Sequence, residues 1–156
     1  MQKENTRKTH LEGHYYISAS REAVYSLLTN FENLPKNFPQ VAKSAKIISM
    51  NGNDFDVEVK TKAFPGSRLF TVRMIGTLNP GFGFRSTNTS SLGVEEELVV
   101  LCDDSGGTRI DYINDVAINS PIFRIFAKFL IKRLALWYWE MAIIKKMKLI
   151  LEKPKQ

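Results

Sequence analysis

The 156-residue chain contains one cysteine, Cys102, and two histidines, His10 and His14. A single cysteine excludes an intrachain disulfide, and no Cys/His group has the spacing of a structural zinc site. The histidines sit four apart at the start of the chain, and no triad can be read around them. Phosphate-binding loops are missing as well, because Gly81-Phe82-Gly83 leads into a strand rather than a helix. No metal, nucleotide or other cofactor is therefore expected. The first ten residues, MQKENTRKTH, lack the apolar stretch of a secretory signal, so a reducing, cytoplasmic setting is expected. Long uninterrupted apolar runs are lacking too. Charges recur along the C-terminal apolar segment, which argues against a membrane span.

What is present is the composition of a folded protein, with 44% apolar and 24% charged residues. The length suits one domain over 1–156, with 1–9 as a polar tail. The net charge of +6 is unevenly placed: residues 1–120 hold 13 Lys/Arg against 14 Asp/Glu, and residues 121–156 hold 9 against 2. Because the excess is confined to the last quarter, it is not read as a nucleic-acid signature. By charge alone a basic segment of this kind suits an anionic membrane surface, nucleic-acid phosphates, an acidic partner or plain solvation, and no nucleic-acid partner is expected.

Leu11 to Ala19 alternates as a strand, with Tyr15, Ile17 and Ala19 on one face. Ser20 is an N-cap for a helix over about 21–29, whose buried stripe is Val24, Leu27, Leu28 and Phe31. Pro35 and Pro39 then allow at most one further helical turn. Six strands follow, at about 43–50, 54–63, 68–78, 82–89, 94–102 and 108–118, separated by Asn, Gly, Pro and Ser clusters. Their half-polar alternation, clearest at Phe55, Val57, Val59 and Thr61, belongs to an antiparallel sheet. Ser120-Pro121 opens a last helix over 120–152. With Ile122 at 0° and 100° per residue, Phe126, Phe129, Leu136, Trp137, Ile144, Met147 and Leu151 fall within about 60° of one line. Arg124, Lys128, Lys132 and Lys146 form the opposite stripe, with Trp139 among them at about 260°.

This order of elements resembles the helix-grip, or START-like, fold. Within it, ISASREAVYSLLTNFENLPKNFPQV, followed later by GGTRIDY and the long helix, is similar to the polyketide cyclase/dehydrase and lipid-transport branch. That branch includes coenzyme-Q-binding proteins and the carbon-monoxide dehydrogenase G subunit. The matching residues are structural: Val24 and Leu28 anchor the first helix, Pro35 and Pro39 turn the chain, and Gly106-Gly107-Thr108 make a hairpin. Asn30 and Asn37-Phe38 depart from the pattern, where an acidic residue and a tryptophan are common. The resemblance implies an α+β fold in which a curved seven-stranded antiparallel sheet wraps a long C-terminal helix, with two short helices after the first strand. It also implies that a hydrophobic small molecule, such as a lipid, quinone or polyketide-like compound, is held between sheet and helix. Cyclase or dehydratase chemistry and a membrane or protein interaction through the basic helix are the alternatives.

The expected inward residues on the strands are Phe55, Val57, Val59, Phe70, Val72, Met74, Phe82, Phe84, Tyr112 and Val116. On the helix they are Phe126, Phe129, Leu130, Trp137 and Met141. Arg133 and Glu140 compute to about 20° and 0°, inside the apolar face, where they would hold the polar end of a ligand or pair with a strand residue. In the run Glu95-Glu96-Glu97, an inward Val94, Leu98 and Val100 would bring Glu96 in as well, although the other register, with Val99 and Leu101 inside, stays open. Tyr112 and Asn114 share a face and would supply hydrogen bonds. Cys102 reads as an inert inward thiol.

Overall fold

The computed structural model describes residues 8–62, 68–119 and 133–152. Phe126, Phe129, Leu130, Lys128 and Lys132 lie outside the described residues. Strand β1 (Thr9–Ile17) is followed by α1 (Arg21–Leu28), a 3-10 turn (Phe31–Asn33) and the short α2 (Leu34–Asn37). Ser20 caps α1 as expected, its Oγ accepting the Ala23 N–H at 3.2 Å, and Val24 and Leu28 are the buried face. Strands β2 (Ser44–Asn51), β3 (Asp54–Lys62), β4 (Leu69–Asn79), β5 (Gly83–Ser90), β6 (Gly93–Asp104) and β7 (Gly107–Ile118) complete one seven-stranded sheet in the order β1-β7-β6-β5-β4-β3-β2. Every neighbouring pair is antiparallel. Helix α3 covers residues 133–151, with a π-helical turn over Glu140–Ile144 and an α-helical end over Lys145–Leu151.

Turn chemistry fixes the register of the sheet. Ser105 (φ 48°) and Gly106 (φ 82°) are both left-handed, the geometry of a two-residue hairpin, and they join Asp104 to Gly107. At Gly76 a Cβ would fall 2.1 Å from the Arg85 carbonyl oxygen, so β4 and β5 approach closely there and only glycine fits.

The solid core fills one end of the grip, where Ile144 (2% exposed) and Met147 (0%) of α3 meet Ile17, Val24, Leu101 and Ile110. The Glu152 carboxylate accepts the Ser18 N–H at 2.6 Å and fastens the end of α3 to the end of β1. Phe82 and Cys102, both expected inward, face out. Phe82 is 48% exposed beneath the Arg21 guanidinium, 3.8 Å from its ring centre. Cys102 sits on the outer face opposite Arg109, because its neighbour Leu101, at 1% exposure, takes the inner one.

Candidate functional site

Beyond the solid core, sheet and helix separate around a cavity of about 430 Å³. The sheet contributes Phe70, Val72, Met74, Phe84 and Val116, and α3 contributes Ala135, Tyr138, Trp139 and Ile143. Phe31, Leu34 and Phe38 of the two short helical segments close a third side. Of the strand residues expected at a site, Phe70, Val72, Met74, Phe84, Tyr112 and Asn114 reach this wall. Phe55 (2% exposed) and Val57 (0%) are core residues instead, Phe55 lying behind Phe31 and Phe84 with ring centroids at 4.7 and 6.3 Å.

The helix differs most from expectation. Trp137 is 58% exposed, Met141 is 38% exposed, and Arg133 and Glu140 also face solvent. Trp139, expected on the wet stripe, turns inward and stacks on Tyr112 at 4.2 Å between centroids, with Tyr15 at 5.3 Å. The π turn explains the exchange. It fits one extra residue into a turn, and one residue is about 100° of helical phase, so the buried faces before and after it are offset by roughly that angle. A wheel of constant pitch places Ile144, Met147 and Leu151 correctly and carries the wrong phase into the preceding turns.

The carboxyl groups of the cavity wall come from the middle of the sheet. Counting back from the Ser105-Gly106 hairpin pairs Leu101 with Ile110, Val99 with Tyr112, Glu97 with Asn114 and Glu95 with Val116. Cross-strand partners share a face. Glu95 and Glu97 therefore point inward and both line the cavity. Glu96 points outward and pairs with Lys8 at 3.2 Å, which corrects its expected place in the site. Residue patterning on β6 alone missed the two carboxyls because both of its faces carry apolar residues.

Around them the hydrogen bonds run in one direction. The Tyr112 hydroxyl donates to Glu97 Oε2 at 3.2 Å, and Asn114 Nδ2 donates to the Tyr112 hydroxyl oxygen at 3.0 Å. Ser86 Oγ donates to Asn88 Oδ1 at 2.9 Å on the neighbouring strand. Burial, reinforced by the Glu95 charge, pushes the Glu97 carboxyl up to about 7. Glu95 is raised by burial too, against hydrogen bonds from Asn88 and Asn114. The Tyr112 hydroxyl is held well above its usual range, first by burial and then by both carboxylates. Glu97 can thus take or give a proton near neutral pH, while Tyr112 stays a neutral donor. The histidines are elsewhere. His10 and His14 lie on the outer face of β1 at 2.7 Å from Asp115 and Asp111, which raise both imidazoles above their usual value. Among the described residues no His, Cys, Asp and Glu group has the arrangement of a metal site, and no helix is long and apolar enough to cross a membrane.

No protein-family model and no curated protein sequence matches the chain. Solved structures do match in fold. The protein TTHA0849 from Thermus thermophilus superposes with a TM-score of 0.76 at 18% identity, over 90% of this chain and 94% of that one. A START superfamily protein from Mycobacterium smegmatis gives 0.73 at 15%, over 92% and 97%. The di-domain ARO/CYC StfQ from the steffimycin biosynthetic pathway gives 0.77 at 15%, with 93% of this chain on 51% of that one. These likenesses establish the START-like helix-grip fold.

Proposed function

We propose that this START-like domain binds one hydrophobic small molecule, a lipid, quinone or polyketide-like compound, between the sheet and α3. The observation that carries the reading is the cavity of about 430 Å³, apolar along most of its wall and carrying a buried carboxyl pair on β6. Small-molecule sites have this size and character. Removing roughly 300 Å² of apolar ligand surface from water is worth on the order of 7 kcal/mol before entropic costs, enough for micromolar affinity at best. Titration with the neutral dye N-phenyl-1-naphthylamine tests it. Saturable binding is expected in the wild type, about tenfold weaker in Val72→Trp and Met74→Trp, which fill the space. Affinity unchanged in both variants would overturn the reading. Mass spectrometry of organic extracts would identify the guest. Its conversion to a product without added cofactor would favour the alternative, a cyclase or dehydratase using Glu97 for proton transfer.

A second reading concerns delivery. Leu134 (53% exposed), Trp137 (58%) and Met141 (38%) share one side of α3, with Lys145 and Lys148 exposed further along it. A tryptophan in an apolar stripe edged by lysines suits an anionic bilayer surface, where the ring sits at headgroup depth and the amines meet phosphates. Trp137→Ala is expected to reduce co-sedimentation with phosphatidylserine-containing vesicles about fivefold at low salt. Equal sedimentation of variant and wild type would remove the membrane from this account.

A further inference from the structure

A polar cluster enclosed in an apolar wall has to satisfy its own hydrogen bonds or have a guest complete them. The donors here are already committed. Tyr112 gives its proton to Glu97, Asn114 Nδ2 gives to Tyr112, and Ser86 gives to Asn88. The acceptors are in surplus. Asn114 is 3% exposed and lines the cavity, yet its Oδ1 has no hydrogen-bond partner. Glu97 lies directly opposite Asn114 across β6 and β7, and Glu95 lies two residues along on the same face, opposite Asn88. Three acceptor groups are thus gathered on the β6 and β7 part of the wall, and nothing in the described wall donates to Asn114 Oδ1.

We infer that the ligand of this cavity carries a hydrogen-bond-donating head that is not anionic, a hydroxyl or an ammonium group, which docks on Glu95, Glu97 and Asn114. The inference rests on the cavity reading above. It goes further by stating which end of the guest enters and which head groups are refused. An apolar body would lie along Phe70, Val72, Met74 and Trp139, with its donor head at the carboxyl pair. Above about pH 7, where Glu97 is ionised, a fatty-acid carboxylate would add a further negative charge beside the carboxyl pair. Lys62 is the one basic residue in the described lining, and it is on β3, three strands from β6. The other polar residues of the described lining are Thr61, Asn88, Ser90, Tyr112, Asn114 and Tyr138. None of these is a cation that could hold an anionic head.

The two donor heads leave different marks. An ammonium beside the pair favours the ionised carboxyls, so binding near neutral pH releases protons from a group that titrates at about 7. A hydroxyl, which brings no charge, shifts that equilibrium less.

The test displaces N-phenyl-1-naphthylamine from the full chain with three amphiphiles of equal chain length, 1-decanol, decylamine and decanoate. Calorimetry in two buffers of different ionisation enthalpy reads proton release. At pH 8 the alcohol or the amine is expected to bind at least about tenfold tighter than decanoate. Glu97→Gln, which keeps the shape and removes the charge, is expected to narrow that ratio about threefold or more. Buffer-dependent heat with decylamine would identify the ammonium, and tighter decanol without it the hydroxyl. Decanoate binding as tightly as decanol and decylamine in the wild type would overturn the inference while leaving the cavity reading intact. Failure of the dye and all three amphiphiles to bind would overturn both.

Discussion

Trp139→Ala is expected to destabilise the protein by about 3 kcal/mol, or roughly 10 °C in thermal midpoint, whereas Trp137→Ala stays within about 0.5 kcal/mol of the wild type. The two tryptophans are neighbours on one helix, and residue type cannot separate them. Their surroundings do. Trp139 lies against both Tyr112 and Tyr15 with centroids at 4.2 and 5.3 Å, so truncation loses ring packing and leaves a void continuous with the cavity. Trp137 is 58% exposed and gives up little on truncation. Thermal unfolding of both variants decides the matter. The opposite ranking would mean that α3 has the phase of an unbroken 3.6-residue helix and that the cavity wall is built from different residues. Trp139→Ala should also weaken dye binding, because the stacked indole forms part of that wall.

The elements were legible because local signals agreed. Ser20 before an apolar i, i+3, i+4 stripe, the proline pair at Pro35 and Pro39, and turn clusters between alternating runs each point to one structure, and the observed strands differ from the expected ones by a residue or two at their ends. Strand β3 shows why. Phe55, Val57 and Val59 are buried, while the intervening residues are charged, so only one face can turn inward.

The candidate site was legible only in part, for two physical reasons. The first is parity on β6. Val94, Leu98 and Val100 would make one apolar face and Val99 and Leu101 the other, so hydrophobicity alone does not choose, and a one-residue error moves Glu96 and Cys102 inward together. The information lay outside the strand. Strand β7 alternates cleanly through Ile110, Tyr112, Asn114 and Val116, and a two-residue turn at Ser105-Gly106 transfers that parity to β6, which brings Glu95 and Glu97 inside. The second reason is the π turn at Glu140–Ile144, which no periodicity scan of fixed pitch represents. Here tertiary packing sets the pitch, since Ile143, Ile144 and Met147 reach the closed core while Trp139 reaches Tyr112.

The carboxyl pair carries the remaining prediction, a fall in folding stability as pH rises from about 5 to 8. Glu97 titrates at about 7 in the folded protein and near 4.3 in the unfolded chain. Between those values the folded state holds the proton more firmly, so its stabilisation is complete below the unfolded value and is lost as pH climbs through 7. A gap of this size is worth about 4 kcal/mol, less whatever hydration the cavity supplies to the ionised group. Glu95, also raised by burial, acts in the same direction. His10 and His14 do so as well, because their raised imidazoles lose their carboxylate partnership on deprotonation. Asp56 and Asp111 are lowered, Asp56 chiefly by its hydrogen bond to Arg73 and Asp111 by His14 and Arg109 against its own burial, so they limit stability on the acid side, where protonation removes those pairs. The optimum should therefore lie near pH 5. Chemical denaturation across pH 4 to 9 on wild type and Glu97→Gln separates the contributions, since the histidine and aspartate effects are common to both and cancel in the difference. The variant is expected to lose much of the decline and to exceed the wild type by about 2 kcal/mol at pH 8. Parallel curves for the two proteins, or a wild type whose stability rises from pH 5 to 7, would place Glu97 in contact with bulk water and remove the enclosed carboxyl pair from the site.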